Sequence, residues 1–303
     1  MIPFKRLLPE DRERIYDCFN RAGREGCEYS FVNLYLWGKQ LAARVGDYFT
    51  VFSHFYGHSM YLFPAGNGDL RPVLEALRQD AGERGIPFRM TAMTQQDCDD
   101  VEAAFPGVFQ FTPDRDGCDY LYEVEHLAEL KGKKYQQKRN HINRFLEAAP
   151  QWHAEEITPG LLPVCRQLLD RWYRTRLEED PHSNFHLEQL ATDRALRCYE
   201  ALALEGLVLF NGEEPVAMTM GSRLSDTVFD VHFEKALGLY PGDYAMINQC
   251  FARYIRDKYP EIRYLNREDD MGLPGLRKAK LSYHPDRMVE QFRCFVKEDL
   301  YES

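Results

Sequence analysis

The sequence contains neither a C-x-x-C pair nor a run of about 18 apolar residues that would span a membrane. Its eight cysteines are scattered through 303 residues, a length that can bury a core without disulfides, so we expect reduced thiols. The N-terminal segment MIPFKRLLPEDRERIYD lacks the apolar centre of a signal peptide. These absences predict a cytoplasmic protein without a transmembrane segment.

Several familiar site motifs are also missing. No G-x-S-x-G, Walker or dinucleotide fingerprint occurs. HFYGH (54–58) lies in a predicted hairpin, where its two histidines do not have helical spacing, and PHSNFH (181–186) has no third fixed ligand. Asp119 stands where a calcium loop in DRDGCDYLYEVE would need glycine. The sequence therefore predicts no metal site.

The formal net charge of -10 argues against a protein that binds nucleic acid with its whole surface. The segment KGKKYQQKRNHINRF at 131–145 is basic and could still bind a polyanion locally. On a helix, Lys138 falls inside the apolar stripe that runs from Tyr135 to Ala149, and Arg139 lies at its margin. A helix whose charges were all solvated would keep lysine out of that stripe. One interpretation is a salt-bridged surface helix; the other is a patch that binds the phosphates of nucleic acid or lipid. Its candidate phosphate-binding residues are Lys133, Lys134, Lys138, Arg139 and Asn140.

The two halves of the sequence show a similar order of predicted elements. The first combines helices, among them FVNLYLWGKQLAARV, with strands such as IPFRMTAM. The second predicts two helices, a hairpin turning at Asn211 and Gly212, the strand DTVFDVHFEKA, a helix and the closing strand MVEQFRCFVK. This order indicates an α/β protein (α+β, mixed sheets) with two tandem N-acetyltransferase-like (GNAT) domains. We predict an N-terminal domain at 1–125, a basic connecting helix at 126–150, and a C-terminal domain at 151–303 that carries the site.

The turn GLYPGDY (238–244) lies between a predicted strand and a predicted helix, where backbone amides favour an anion. An acetyltransferase would bind the coenzyme A pyrophosphate here. The turn offers Gly238 and Gly242 with Pro241 between them, which departs from the usual glycine pattern and disfavours coenzyme A. Gly242 and Asp243 remain candidates for substrate binding, and an ordinary turn with a helix start is the alternative.

Two segments concentrate ionisable side chains. Alternation in DVHFEKA places His232 and Glu234 on one strand face with Asp230, and NREDDMG puts Glu268 and Asp269 at the carboxyl end of a strand. These groups could move protons or hold an ammonium group; an exposed strand face and a solvated acidic loop are the alternatives. The predicted catalytic residues are His232, Glu234, Glu268 and Asp269, with Asn266 and Lys278 as further substrate or phosphate contacts.

Four segments together, SFVNLYLW, KGKKYQQKRNHINRF, HFEKA and LNREDDMGLPGLRKAKLSYHP, resemble a bacterial family grouped with the C-terminal domain of phosphatidylglycerol lysyltransferases. Fem-type aminoacyltransferases are more distant relatives. The resemblance implies an enzyme that moves an amino acid from aminoacyl-tRNA to a lipid or other small acceptor, without a required cofactor. It places the protein in the cytoplasm or at the membrane periphery. The alternatives are a coenzyme A-dependent N-acyltransferase and a non-catalytic module that binds RNA or anionic lipid.

Overall fold

The computed structural model describes residues 1–21, 23–55, 57–180 and 185–297. The chain divides into two compact units, and each has its own mixed sheet. Unit 1 comprises Met1–Asp119, Asp269–Leu273 and Met288–Ser303, and unit 2 comprises Tyr120–Glu268 and Pro274–Arg287. Among the described residues, no helix is both long enough and apolar enough to cross a membrane.

Unit 1 is built on a seven-stranded sheet with helices packed against it. The strands are β1 (Lys5–Arg6), β2 (Lys39–Val45), β3 (Tyr48–Phe55), β4 (His58–Leu62), β5 (Arg89–Met93), β6 (Phe109–Pro113) and β14 (Phe292–Val296), in the order β1-β2-β3-β4-β5-β14-β6. The helices are α1 (Arg12–Ile15), α2 (Phe31–Leu36), α3 (Arg71–Arg84) and α4 (Gln95–Ala104). Leu74 and Leu77 of α3 are fully buried beside Tyr61 of β4, and burial of each such side chain stabilises the fold by about 1.5–3 kcal/mol.

Unit 2 also has a mixed sheet, and most of the predicted site residues lie in it. Its strands are β7 (Asp119–Glu123), β8 (Trp152–Glu156), β9 (Glu205–Asn211), β10 (Glu214–Arg223), β11 (Val228–Ala236) and β12 (Tyr264–Asn266), in the order β7-β12-β11-β10-β9-β8. The helices are α5 (Val124–Glu129), α6 (Gln136–Ala148), α7 (Leu162–Glu179), α8 (Phe185–Arg197), α9 (Asp243–Lys258) and α10 (Pro274–Leu281); a short strand β13 spans Arg287–Val289.

The parallel strands β11 and β12 separate part of the way along the sheet. They pair from Val228↔Tyr264 to Asp230↔Asn266, where β12 ends, whereas β11 continues to Ala236. On the other side of β11 the pairing with β10 passes over His232, which makes a β-bulge. Bulges and the carboxyl ends of parallel strands are both frequent at functional sites. The second half of β11 is therefore open on the side where β12 has stopped.

Two expectations from the sequence differ from the structure. The helix predicted for FVNLYLWGKQLAARV ends at Leu36, because Gly38 adopts a φ of 62° and the chain then enters β2. The closing strand β14 pairs with β5 and β6 in unit 1, while β7 pairs with β12 in unit 2. The compact units consequently do not follow the predicted limits of 1–125, 126–150 and 151–303.

Candidate functional site

A cavity of about 350 Å³ lies beside the open half of β11 in unit 2. Helix α6, the strand β11, the beginning of α9, the segment after β12 and the end of α10 all contribute to its wall. Its lining residues are Lys138, His141, Glu234, Gly242, Asp243, Tyr244, Ala245, Arg267, Ala279 and Tyr283. Four of these, Lys138, Glu234, Gly242 and Asp243, are residues that the sequence singled out. The structure thus brings three separate sequence segments to one cavity.

Lys138 contributes an amine to the lining of this cavity. Its Nζ donates a hydrogen bond to Ser282 Oγ at 2.7 Å and lies 3.5 Å from the centre of the Tyr283 ring. Burial and, to a smaller extent, the nearby charge of Arg267 lower the pKa of Lys138 to about 8 against the opposing effect of Glu234. Its position in the apolar stripe of α6 is the reason for this burial. At pH 7 about a tenth of the Lys138 amine is therefore neutral.

Arg267 and Glu234 form an ion pair across the gap between β12 and β11. Arg267 Nη2 donates to Glu234 Oε1 at 2.8 Å, and Asn248 Nδ2 donates to Glu234 Oε2 at 3.1 Å. The guanidinium also lies 4.7 Å from the Tyr283 ring centre. The side chains of the pair are only 14% and 11% exposed, and the buried Nη1 of Arg267 has no hydrogen-bond partner among the described residues. Glu234 thereby orients an arginine whose Nη1 remains without an acceptor among the described residues.

The GLYPGDY turn brings α6 close to the start of α9. Asp243 accepts hydrogen bonds from the backbone amides of Gly238 and Tyr244, both at 2.8 Å. Gly242 has a φ of 91°, and a Cβ added to it would overlap the carbonyl oxygen of His141 in α6. The Asp243 carboxylate and the His141 carbonyl oxygen therefore lie where an anion would bind at the N-terminus of α9. Glycine is required here for close packing of α6.

We expect Gly242→Ala to destabilise the protein by more than Gly238→Ala. Both glycines have positive φ, which costs alanine about 1–2 kcal/mol, but Gly238 has no atom within 4 Å of an added Cβ. The extra loss at Gly242 reports the overlap with His141, and its expected size is at least about 1 kcal/mol. Urea denaturation of the two variants measures the difference. Equal losses would contradict the close approach of α6.

His232 lies at the centre of a second polar group in unit 2. Its Nε2 is 2.8 Å from Ser222 Oγ, and its Nδ1 is 3.0 Å from Glu268 Oε1 and 3.5 Å from Asp230 Oδ2. The His232 side chain is fully buried. A hydroxyl, an imidazole and a carboxylate in this order can pass a proton. His232 also lies at the β-bulge of β11, a feature that the alternation of the sequence did not reveal.

The ligand atoms of Asp230, His232 and Glu268 are close enough together to hold a metal ion, and so are those of Cys27, Glu28 and Asp119 in unit 1. Nitrogen, oxygen and sulfur donors of these kinds suit transition metals. Residues 56 and 181–184 of the HFYGH and PHSNFH motifs lie outside the described residues, and the described residues of these motifs join neither group.

The other predicted site residues are dispersed. Arg139 Nη1 donates to the carbonyls of Leu130 and Gly132, and its Nη2 donates to Gln136 Oε1, so its guanidinium supports the turn before α6. The side chain of Asn266 is buried and accepts from the Glu268 amide at 2.7 Å. Asp269 belongs to unit 1. Four residues, Lys133, Lys134, Asn140 and Lys278, are exposed.

The sequence reasoning missed Arg267, Ser282, Tyr283 and Ser222. A signal was present for two of them, because Arg267 stands between Asn266 and Glu268 in NREDDMG, and Tyr283 lies in the LNREDDMGLPGLRKAKLSYHP segment that carried the resemblance. A basic residue next to three acids at a strand end is a candidate for an internal ion pair. The hydroxyls of Ser282 and Ser222 have no comparable signal.

The family model for the C-terminal region of phosphatidylglycerol lysyltransferase matches residues 19–295. A crystal structure of a conserved protein from Bacteroides thetaiotaomicron is 38% identical, with a TM-score of 0.91, and the match covers 98% of this chain and 100% of that one. An uncharacterised protein of Mycoplasmoides gallisepticum is 23% identical over 174 residues, or 57% of this chain. The chain spans about half the length (54%) of that curated relative.

Solved structures with lower identity report on the fold. The C-terminal domain of a protein named as a lysylphosphatidylglycerol synthetase from Agrobacterium fabrum has a TM-score of 0.64 at 14% identity and covers 94% of this chain and 91% of its own. FemX has a TM-score of 0.55 at 8% identity, covering 99% of each chain, and a tandem GNAT protein from the clavulanic acid pathway has 0.51 at 10%, covering 98% of each. These similarities confirm the predicted α/β class and tandem acetyltransferase-like fold.

Proposed function

The chain belongs to the family of phosphatidylglycerol lysyltransferase C-terminal domains, and we propose that it transfers an aminoacyl group from aminoacyl-tRNA to a lipid or other small acceptor in the cavity of unit 2. The family and its fold support acyl or aminoacyl transfer in general. The observation that carries the finer proposal is the pairing of Lys138, an amine that deprotonates near neutral pH, with the unpartnered Nη1 of Arg267 in one cavity.

In the proposed reaction the aminoacyl group leaves its ester with tRNA and forms a new ester or amide with the acceptor. The neutral Lys138 amine takes the proton from the hydroxyl or amine of the acceptor, and the acceptor attacks the carbonyl carbon of the aminoacyl ester. Arg267 stabilises the negative charge that develops on the carbonyl oxygen, and Glu234 holds the guanidinium in place. The ester bond to the 3′-oxygen of tRNA breaks, and the protonated Lys138 returns its proton to that oxygen.

The proposal changes the roles that the sequence suggested for two residues. Lys138 acts on the proton of the acceptor instead of contacting a phosphate, and Glu234 is a positioning residue because both of its oxygens already accept hydrogen bonds. Contacts to the tRNA phosphates then fall to the exposed Lys133 and Lys134, which precede α6. The basic segment 131–145 would thus give an otherwise acidic protein a local surface for phosphates.

Coenzyme A is not part of this proposal. The Asp243 carboxylate already accepts the amide hydrogens of Gly238 and Tyr244, and the His141 carbonyl packs on Gly242. A pyrophosphate at this turn would have to displace an anionic group and an acceptor oxygen. This geometry supports transfer that needs no coenzyme A, and binding to immobilised coenzyme A is the measurement that would favour the N-acyltransferase alternative.

The experiment that tests the function follows labelled amino acids from a mixed pool of charged tRNAs into an extract of total lipid and cell-wall precursors. We expect one label to move into the extract with the wild-type protein and to stay on tRNA with Lys138→Met. A control enzyme establishes that the extract accepts amino acids. Without transfer, salt-dependent binding of RNA or anionic vesicles would leave the non-catalytic binding module as the better account.

A further inference from the structure

The hydrogen bonds around Lys138 leave its nitrogen able to act as a nucleophile. Ser282 Oγ donates its hydrogen to the carbonyl of Ala279 at 2.5 Å, so it accepts from Lys138 Nζ at 2.7 Å and cannot donate to it. The lone pair of the neutral amine therefore has no donor at Ser282. No carboxylate forms an ion pair with Lys138 among the described residues. Burial and the charge of Arg267 across the cavity lower the pKa of Lys138, against the opposing effect of Glu234.

Other lysines of unit 2 differ in this respect. Lys235 pairs with Glu188 at 2.6 Å, Lys258 pairs with Glu156 and Glu205 at 2.7 and 2.8 Å, and Lys280 donates to the backbone carbonyls of Arg267 and Glu268. Each of these amines donates to a carboxylate or to a backbone carbonyl oxygen. Lys138 combines burial in a cavity with a free lone pair and an adjacent arginine that can hold a carbonyl oxygen.

We propose that Lys138 is an acylation site, whose amine attacks an activated ester held in the cavity and retains the acyl group as an amide. The nitrogen forms a bond to the carbonyl carbon, the bond from that carbon to the ester oxygen breaks, and the surplus amine proton goes to the departing oxygen. Arg267 Nη1 stabilises the carbonyl oxygen during attack. The amide carries no charge and lies where the acceptor must enter, so acylation stops transfer.

This inference rests on the proposed function only for its natural donor, the aminoacyl ester. In that setting acylation is the reaction that competes when the donor is bound and no acceptor is present. The protein would then inactivate itself in proportion to the time it spends with charged tRNA alone. The reactivity of the amine toward small esters is a property of the cavity and holds for any acyl donor.

The test treats the full chain with p-nitrophenyl acetate at pH 7 and quantifies acetylation of each lysine by peptide mass spectrometry. The neutral fraction of Lys138 exceeds that of an ordinary exposed lysine by a factor on the order of a hundred. Allowing for the lower nucleophilicity of a less basic amine, we expect Lys138 to react at least about tenfold faster than Lys133 and Lys134. Equal or slower reaction of Lys138 would overturn the inference, whatever the outcome of the transfer assay.

A second arm uses charged tRNA without acceptor and examines the Lys138 peptide for an added amino acid. A modified peptide supports the inference with its natural donor. If p-nitrophenyl acetate labels Lys138 and charged tRNA does not, the acylation site stands for small esters and self-acylation by the aminoacyl ester is overturned. The label-transfer assay decides the aminoacyl-tRNA donor of the proposed function separately. Arg267→Met tests whether Arg267 assists the reaction at Lys138. We expect it to slow acetylation of Lys138 while Lys133 and Lys134 keep their rates.

Discussion

Lys138→Met lowers the rate of aminoacyl transfer by at least about a hundredfold, because general base catalysis typically contributes a factor of 10²–10⁴. Methionine preserves the unbranched shape of the side chain while removing the amine that lies over the Tyr283 ring. The measurement is the initial rate of label transfer from charged tRNA at saturating donor. Lys39→Met is the matched control, because Lys39 is exposed on β2 and lies outside the cavity lining, and this variant should transfer at the wild-type rate.

The pH dependence of transfer follows from the same group. The reactive form is the neutral amine, so the rate rises with pH and levels off above the Lys138 pKa of about 8. A rate that is independent of pH between 6.5 and 8.5 would contradict the role of Lys138 as the proton acceptor.

Lys138→Met should lose activity but keep or gain stability. The pKa of Lys138 is lower in the folded protein than in the unfolded chain, whose lysines titrate near about 10.4. The unfolded chain therefore binds more protons between these two values, and stability rises with pH across that window. Below pH 8 the folded protein carries a desolvated charge at Lys138 that Lys138→Met lacks. We expect the variant to unfold at an equal or higher urea concentration than the wild type at pH 7, which separates loss of catalysis from loss of fold.

Local patterns in the sequence selected several residues that the structure places at the candidate site. The 3.6-residue periodicity of α6 placed Lys138 in an apolar stripe, and its burial in the cavity is the consequence. Strand periodicity and the position of NREDDMG after a strand likewise selected Glu234, His232 and Glu268. In the structure Glu234 pairs with Arg267, and His232 contacts Glu268. These patterns are local because a helix or strand fixes the relative directions of residues a few positions apart.

Contacts between distant segments were not predictable in the same way. Nothing local states that Arg267 meets Glu234 or that Tyr283 lies beneath Lys138, since these contacts depend on how β12, α10 and α6 pack. The exchange of β14 and β7 between the sheets has the same origin, because strand pairing is decided by tertiary partners more than by the strand's own residues. The bulge at His232 is likewise a product of its pairing with β10.

Removing Glu234 alone should cost about 3–5 kcal/mol of folding free energy, because it leaves the buried guanidinium of Arg267 without a counter-charge. Glu234→Met combined with Arg267→Met removes both charges, and we expect it to be more stable than Glu234→Met by at least about 1–2 kcal/mol. Urea denaturation of the wild type, both single variants and the double variant closes the cycle. The exposed pair of Arg171 and Glu214 is the control, where a single replacement should change stability by less than about 1 kcal/mol.

The same four proteins test what the pair does for catalysis. If Glu234 only positions Arg267, then Glu234→Met and Arg267→Met each reduce transfer, and the double variant transfers no more slowly than Arg267→Met alone. Independent losses that multiply in the double variant would instead assign Glu234 its own contact with the reacting groups. Donor binding, measured by retention of charged tRNA on a filter, should stay at the wild-type level in all three variants, because the phosphate contacts are assigned to the exposed Lys133 and Lys134. Loss of binding together with transfer would place the ion pair in tRNA recognition, and the reaction would then need a different group to stabilise the carbonyl oxygen.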